Sequence, residues 1–308
     1  MSFSLGALNT YTEQQRLPLI TKAVFSARTA ALFTKQVGIK SAATLNLMDT
    51  DAAFQTGTAC GWNVAGAASG TTTFTQRTIT VAPLKIQEAL CPRSLEQYWM
   101  QSQLTAGSNY DGVPFEQAFS EQKALRIAEA LENAIWSGST LVTGLLTILN
   151  AASGSTVSGN TAAISGSITT SNAIQIFDNI YNRIPQAILT RNDLVIFCGW
   201  DTFRTLIGAL KSTSSVLYNQ VDLQGLADGD IIYPGTNVRV VAVPGLLGYN
   251  RMVCSYLGNF FYGTDLLSDE EQFSIWHSID NDEVRFQCAL KIGVQTAYPD
   301  LIVDWKLA

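Results

Sequence analysis

Hydrophobic and polar positions follow a helical spacing over their longest stretch between Val113 and Gly138. Apolar residues recur there every three or four positions, as on one buried helix face, at Phe115, Ala118, Phe119, Leu125, Ala128, Leu131 and Ile135. Charged residues fill the positions between them, so we expect Leu131 to be buried and Glu132 to face solvent. Pro114 suits a first helical turn, and Gly138 suits a left-handed helix end. The pattern predicts one helix roughly 35 Å long.

Two alternating stretches before this helix predict a long β-hairpin. Ala43 to Met48 and Thr72 to Val81 alternate apolar and polar residues, and the segment between them is rich in Gly, Ala and Thr. An arm of ~14 residues would extend roughly 45 Å, whereas a compact chain of this length has a radius of gyration of only ~19 Å. We therefore expect the hairpin to project from the body. Because an isolated two-stranded hairpin is marginally stable, something outside the chain should support it.

The remaining patterns predict further helices and strands. Helices are expected at 10–35, 94–104, 171–184 and from Asp201 onward. Strands are expected at 194–198, 238–243, 252–257, 272–277, 284–292 and 301–305. The residues from 140 to 169 are mostly small, which indicates a loop and a domain boundary. Together these elements predict an α+β protein with an α/β subdomain between 171 and 257.

Composition narrows the function. Of 308 residues, 47% are apolar and 14% are charged, against a typical charged share of about 25%. Few charged residues are left to cover a wet surface, which favours burial against other copies of the chain. The net charge is −6 without any basic block, which argues against sequence-specific nucleic-acid binding. We expect no transmembrane helix and no signal peptide, because no apolar run is long enough for either.

Groups that could carry chemistry are few. His277 is the single histidine and lies on a predicted strand without metal-ligand spacing. No dinucleotide-binding, P-loop or nucleophile-elbow motif occurs. The odd number of cysteines and the lack of a C-x-x-C pair argue against disulfides or zinc. We therefore expect buried free thiols at Cys60, Cys91, Cys198, Cys254 and Cys288.

Acidic residues form no recognisable site. Glu129 and Glu132 share a helix face but are expected to be solvated, and Asp269–Glu271 should form an exposed turn. The acidic group at Asp280, Asp282 and Glu283 does not match a calcium loop. The sequence thus predicts no catalytic, cofactor-binding or metal-binding residue, and no enzyme.

The order of these elements resembles that of the major capsid proteins of tailed double-stranded DNA phages, which have the Hong Kong 97-type fold. The resemblance rests on an N-terminal arm, a projecting hairpin, a short helix, a long acidic helix, an α/β subdomain and returning long strands. It is supported by the helix end Ala134-Ile135-Trp136-Ser137-Gly138, which is similar to the hydrophobic-aromatic-x-Gly step that often ends the family's spine helix.

The resemblance implies a division of the chain. Residues 1–38 would form the N-terminal arm and its helix, and residues 39–90 the extended hairpin loop. Residues 91–139 and 272–308 would form the peripheral domain with the spine helix. Residues 140–271 would form the axial domain.

The resemblance also implies a function. The chain would be a major capsid protein that assembles through hexamers and pentamers into an icosahedral shell. That shell would enclose double-stranded DNA without sequence-specific binding. Separate scaffolding and portal proteins, no cofactor and no membrane are expected, with assembly in the host cytoplasm and a final location in the virion capsid. We expect the hairpin segment from Met48 to Phe74 to contact a neighbouring subunit, with contact residues at Trp62, Phe74 and Arg77. We expect no cross-links at Lys40 or Lys85.

Three other functions stay open at this point. An encapsulin-like nanocompartment shares this fold and would carry a cargo groove. A hydrolase with an unusual acidic site belongs to a different class. A tail tube is the third alternative.

Overall fold

The computed structural model describes residues 28–52, 54, 71–90, 115–160, 167–213, 228–265, 273–281 and 283–307. Its helices are α1 (Arg28–Leu32), α2 (Phe115–Trp136), α3 (Leu145–Ala151), α4 (Ala173–Asn182), α5 (Gln186–Leu189) and α6 (Trp200–Thr213). Its strands are β1 (Thr34–Gln36), β2 (Ala42–Thr50), β3 (Thr72–Thr80), β4 (Ala82–Leu90), β5 (Val157–Ser158), β6 (Leu194–Gly199), β7 (Asp230–Ile232), β8 (Arg239–Val243), β9 (Arg251–Tyr256), β10 (Phe260–Thr264), β11 (Phe273–Ser278), β12 (Glu283–Thr296) and β13 (Val303–Lys306). The predicted α+β class is confirmed. The helix predicted at 94–104 lies outside the described residues.

A five-stranded sheet is built around β12. Its order is β1-β10-β12-β11, and β4 pairs with the other edge of β12. The alternation predicted for this strand is confirmed, since Phe286, Cys288, Leu290 and Ile292 are all buried. These side chains share one core cluster with α2. One face of the long helix therefore packs on one face of this sheet.

A six-stranded sheet forms the second half of the body. Its order is β5-β13-β9-β6-β8-β7, with β6 and β8 parallel at its centre. The predicted strand β6 is buried at every position, as its uninterrupted apolar sequence indicates. Helices α4 and α6 join its core through Ile176, Phe177, Phe203 and Leu206.

The third sheet is the hairpin of β2 and β3. Its register runs from Ala42 opposite Thr80 to Thr50 opposite Thr72. A small core of Ile39, Leu45, Ile79 and Val81 holds the root of the hairpin against the body. After Val81 the chain enters β4, which pairs with β12 along its whole length. The two-stranded part is therefore shorter than the predicted loop at 39–90.

Sheet membership departs from the predicted division of the chain at two further places. Strand β10, from the segment assigned to the axial domain, pairs with β12 in the five-stranded sheet. Strand β13, from the tail assigned to the peripheral domain, pairs with β9 in the six-stranded sheet. Both strands find their backbone partners across the chain, so the order of elements along the sequence could not assign them.

The helix predicted at 10–35 is wrong at its C-terminal end. Helix α1 stops at Leu32, and Thr34–Gln36 forms a parallel strand beside β10. Ala31 is exposed, whereas Ala30 and Phe33 are buried. Backbone pairing with β10 outweighs the weak helical preference of this short segment. The part of the predicted helix before residue 28 lies outside the described residues.

The end of α2 is as predicted. Gly138 has a φ of 85°, in the left-handed region. A Cβ on Gly144 would lie 2.2 Å from the backbone nitrogen of Gly138. This close approach of two backbones turns the chain directly into α3, a helix that the small-residue composition of 140–169 did not predict.

The side chains of Phe115, Ala118 and Phe119 lie outside what the structure describes. Over the described side chains of α2, the buried face differs from the predicted one at two positions. Ala128, Leu131 and Ile135 are buried as expected. Leu125, however, is 61% exposed, and Glu132 is only 2% exposed. These two residues are seven positions apart and share one side of the helix. They differ because α1 covers that side only near the C-terminal end of α2.

Glu132 is buried against Thr29 of α1. The Thr29 hydroxyl donates to Glu132 Oε2 at 2.6 Å, and the Thr29 backbone N–H donates to Oε1. Trp136 Nε1 in turn donates to the Thr29 hydroxyl at 2.8 Å. Burial raises the pKa of Glu132, partly offset by these bonds and by the nearby charge of Arg28. The carboxyl group thus fastens α1 to the last two turns of α2.

Four aromatic side chains meet beside this junction. Phe33 stacks on Phe260 at 5.0 Å between ring centroids and meets Phe197 edge-on at 5.7 Å. Trp136 lies 5.4 Å from Phe197. The four rings come from the segment after α1, the end of α2, the six-stranded sheet and the five-stranded sheet. This aromatic cluster joins the two sheets into one core.

Alanine substitutions of Glu132 and Glu129 test the contribution of the hydrogen bonds between Glu132 and Thr29. Glu132→Ala leaves two donors of Thr29 without their acceptor, so we expect a loss of about 1–3 kcal/mol in the free energy of unfolding. Glu129→Ala, one turn earlier on a side chain that is 57% exposed, should change it by less than about 0.5 kcal/mol. Urea unfolding of the soluble subunit measures both. Equal losses would contradict the junction.

The pKa of Glu132 gives a second prediction. Burial raises the pKa of Glu132 in the folded chain above its pKa in the unfolded chain. Protonated Glu132 therefore makes its whole contribution to the free energy of unfolding at pH values below the unfolded-state pKa. This contribution is lost as pH rises through the folded-state pKa. Glu132→Gln does not titrate, so the variant should gain on the wild type as pH rises through this window. Urea midpoints of the two chains that shift in parallel over the whole pH range would contradict this.

Candidate assembly surface

The hairpin beyond its root is bare. Residues 48–52, 54 and 71–76, here called the exposed end of the hairpin, are all exposed. They include three large apolar side chains, with exposures of 57% at Met48, 107% at Phe54 and 76% at Phe74. Met48 and Phe74 lie directly opposite each other in the register, so their side chains form a pair on one face. Exposed apolar groups clustered in this way mark interaction surfaces.

The face that carries this pair points away from the core of the hairpin root. Leu45 and Ile79 pack at the root on one face of the ribbon. Met48 and Phe74 differ from them in parity along their strands, so they lie on the opposite face. The described remainder of the chain therefore leaves this pair uncovered.

The charged side chains of the hairpin between Lys40 and Arg77 are all negative. Between Lys40 and Arg77 the sequence contains Asp49 and Asp51 but no Lys, Arg, His or Glu. Both aspartates lie in the exposed end. The surface that this segment offers is therefore apolar and mildly acidic.

The three residues predicted to make contacts between subunits fall in different places. Phe74 lies in the exposed end, as a contact residue requires. Arg77 lies opposite Leu45 near the root and on the other face, where burial lowers the pKa of its guanidinium. Trp62 lies outside the described residues. The structure therefore does not bring Phe74 and Arg77 together.

Two further apolar residues of this surface, Met48 and Phe54, lie within the predicted contact segment, although the sequence singles out neither of them. The position of Met48 opposite Phe74 follows only once the register is known. Phe54 stands alone in a polar stretch, and no periodic pattern marks it. A lone large apolar residue in a segment without a core was the available signal.

The acidic residues do not form a catalytic pair. Glu129 pairs with Arg126 in solvent, while Glu132 binds Thr29, so the prediction that both glutamates are solvated is wrong for Glu132. A hydrogen bond from Arg285 lowers the pKa of Glu283. Among the described residues, no group of three His, Cys, Asp or Glu side chains could hold a metal ion. Asp282, Asp269–Glu271 and the His277 side chain lie outside the described residues.

The described thiols are buried as predicted. Cys198, Cys254 and Cys288 are buried and form no disulfide with one another, whereas Cys60 and Cys91 lie outside the described residues. Burial raises the pKa of Cys254 to about 12 and also raises that of Cys198. Such thiols remain protonated and unreactive at neutral pH.

In the part of the chain that is described, no helix is both long and apolar enough to cross a membrane. No protein-family model matches the chain. No curated protein sequence matches it either.

Solved structures do match. A chain of the satellite phage P4 procapsid superposes with a TM-score of 0.60 at 13% identity, over 94% of this chain and 90% of its own. A chain of the capsid of a native GTA particle superposes with a TM-score of 0.56 at 14% identity, over 93% of this chain and 90% of its own. A virus-like particle from Pyrococcus furiosus superposes with a TM-score of 0.53 at 11% identity, over 95% of this chain and 98% of its own.

The similarity therefore lies in the backbone and spans almost the whole of each chain. This chain has the Hong Kong 97-type capsid fold.

Proposed function

We propose that this protein is a major capsid protein, many copies of which assemble into a closed shell. The observation that carries the proposal is the uncovered pair of Met48 and Phe74 on a hairpin whose packed core lies only at its root. A soluble monomer gains nothing by exposing these side chains. A second copy that covers them would bury an aromatic anchor of the kind that dominates interface energies.

The finer features of the proposal rest on the fold and on charge. Hexamers and pentamers in an icosahedral shell agree with the capsids among the similar structures. A net charge of −6 suits an inner wall that encloses double-stranded DNA without gripping it. Separate scaffolding and portal proteins, and assembly in the host cytoplasm, are part of the same proposal.

A nanocompartment is the second candidate. It is favoured by the similarity to the Pyrococcus furiosus virus-like particle, whose TM-score of 0.53 is lower than that of the phage P4 procapsid at 0.60. The two functions differ in what fills the shell. Particles purified from expressing cells would contain a protein cargo in one case and, with the phage proteins present, DNA in the other.

Shortening the hairpin tests the proposal directly. Replacing Met48–Phe74 by a short Gly-Ser turn removes the uncovered pair and most of the exposed end but keeps Leu45 and Ile79 at the root. We expect a soluble subunit that melts cooperatively and forms no closed shells in electron micrographs. Normal shells from this variant would overturn the proposed role of the hairpin. Loss of the fold would show instead that the segment belongs to the body.

A pair of matched substitutions tests the contact itself. Phe74 and Leu125 are both exposed in the subunit, at 76% and 61%, but only Phe74 lies on the hairpin. We expect Phe74→Ser to raise the subunit concentration needed for assembly by roughly tenfold or more, and Leu125→Ser to change it little. Light scattering against concentration measures this. Equal effects of the two substitutions would contradict a hairpin contact.

A further inference from the structure

The hairpin meets the body at its root through a close backbone contact. A Cβ on Gly293 of β12 would lie 2.1 Å from the carbonyl oxygen of Thr80, so only glycine permits this approach. The root core of Ile39, Leu45 and Ile79 lies beside it. These contacts fix where the hairpin starts, but a two-stranded ribbon held only at one end can still swing.

Two side chains reach the hairpin beyond the root. Gln295 Nε2 donates to the carbonyl oxygen of Thr78 at 2.8 Å. Farther out, the Tyr298 hydroxyl donates to the carbonyl oxygen of Met48 at 3.2 Å. Met48 is the first residue of the exposed end, and it lies opposite Phe74. Tyr298 therefore contacts the hairpin at the point where its uncovered apolar pair begins.

Tyr298 is itself held rigidly by the body. Asn259 is fully buried, and its side chain binds both backbone groups of Tyr298. Asn259 Oδ1 accepts from the Tyr298 N–H at 2.7 Å, and Asn259 Nδ2 donates to the Tyr298 carbonyl at 2.8 Å. The same Nδ2 donates to the Ser255 hydroxyl at 3.0 Å, so the amide is tied to strand β9 as well. The tyrosine ring thus extends from a fixed backbone toward the ribbon.

We propose that Tyr298 is a positioning residue that sets the direction in which the β2–β3 hairpin leaves the body. The inference rests on the proposed function, because the hairpin direction decides where Met48 and Phe74 meet a second copy of this chain. The root contacts act close to the pivot, whereas Tyr298 acts about six residues, or roughly 20 Å, along β2. A contact far from the pivot restricts the angle of a ribbon more than one beside it.

Hydrogen exchange of the soluble subunit tests the positioning role. Tyr298→Phe removes only the hydroxyl that binds Met48. We expect amide exchange in peptides covering 42–50 and 71–80 to become roughly two- to tenfold faster, as the loss of one neutral hydrogen bond implies. Exchange in β6 and β9 should stay unchanged. Tyr249→Phe, which removes a hydroxyl from an exposed tyrosine of the body, is the matched control and should leave all of these peptides unchanged.

Assembly of the same variants tests its consequence. Electron micrographs of Tyr298→Phe should contain a smaller share of shells with the wild-type diameter, and those of Tyr249→Phe an unchanged share. Unchanged exchange in the hairpin would overturn the positioning role. Faster exchange with a wild-type distribution of shells would overturn its link to assembly. If the wild-type chain forms no shells, the proposed function fails, and the exchange measurement alone decides the role of Tyr298.

Discussion

The junction between α1 and the end of α2 is the contact on which the body depends. Phe33 brings the N-terminal segment into contact with Trp136, Phe197 and Phe260, so one ring touches the long helix and both sheets. All four rings are at most 3% exposed, and burial of each contributes roughly 1.5–3 kcal/mol. Glu132 adds a polar fastening beside them through Thr29. Without this short segment, α2 would lose its cover over the last two turns, and the two sheets would share a smaller core.

The hairpin, unlike the body, is mostly exposed to solvent. Its root is packed, its middle is braced by two hydrogen bonds from the end of β12 and the residues after it, and its exposed end carries Met48, Phe54 and Phe74 in solvent. A well-packed body and an exposed arm agree with the proposed role of this chain as a shell subunit. In that role the body would keep its shape from copy to copy, while a neighbouring copy would stabilise the arm. The low charged fraction of the sequence, 14%, fits the same division.

The periodicity of hydrophobic residues predicted most of the helices and strands, but few of the tertiary contacts that bury them. The alternation in β12 gave its buried face directly, because a strand with one packed face repeats every two residues. The helical spacing gave the existence and the end of α2. The spacing could not predict that Leu125 is exposed and Glu132 is buried, because the burial of Glu132 arises from α1, which is distant in sequence. The strands that pair with β10 and β13 could not be predicted from the sequence pattern either. For the candidate surface, the segment from Met48 to Phe74 was predicted, but the pairing of these two residues became evident only from the register.

We expect the body to form one unit and a second copy of the chain to cover the exposed end of its hairpin. A reconstruction of the assembled particle by electron cryomicroscopy, at a resolution that shows side chains, would test both expectations at once. The expected result is a closed shell in which Met48 and Phe74 are buried against a neighbouring copy, while Phe33 and Trp136 keep their contacts within the subunit. A shell in which Phe74 remains in solvent, or a particle that is not closed, would rule out this arrangement.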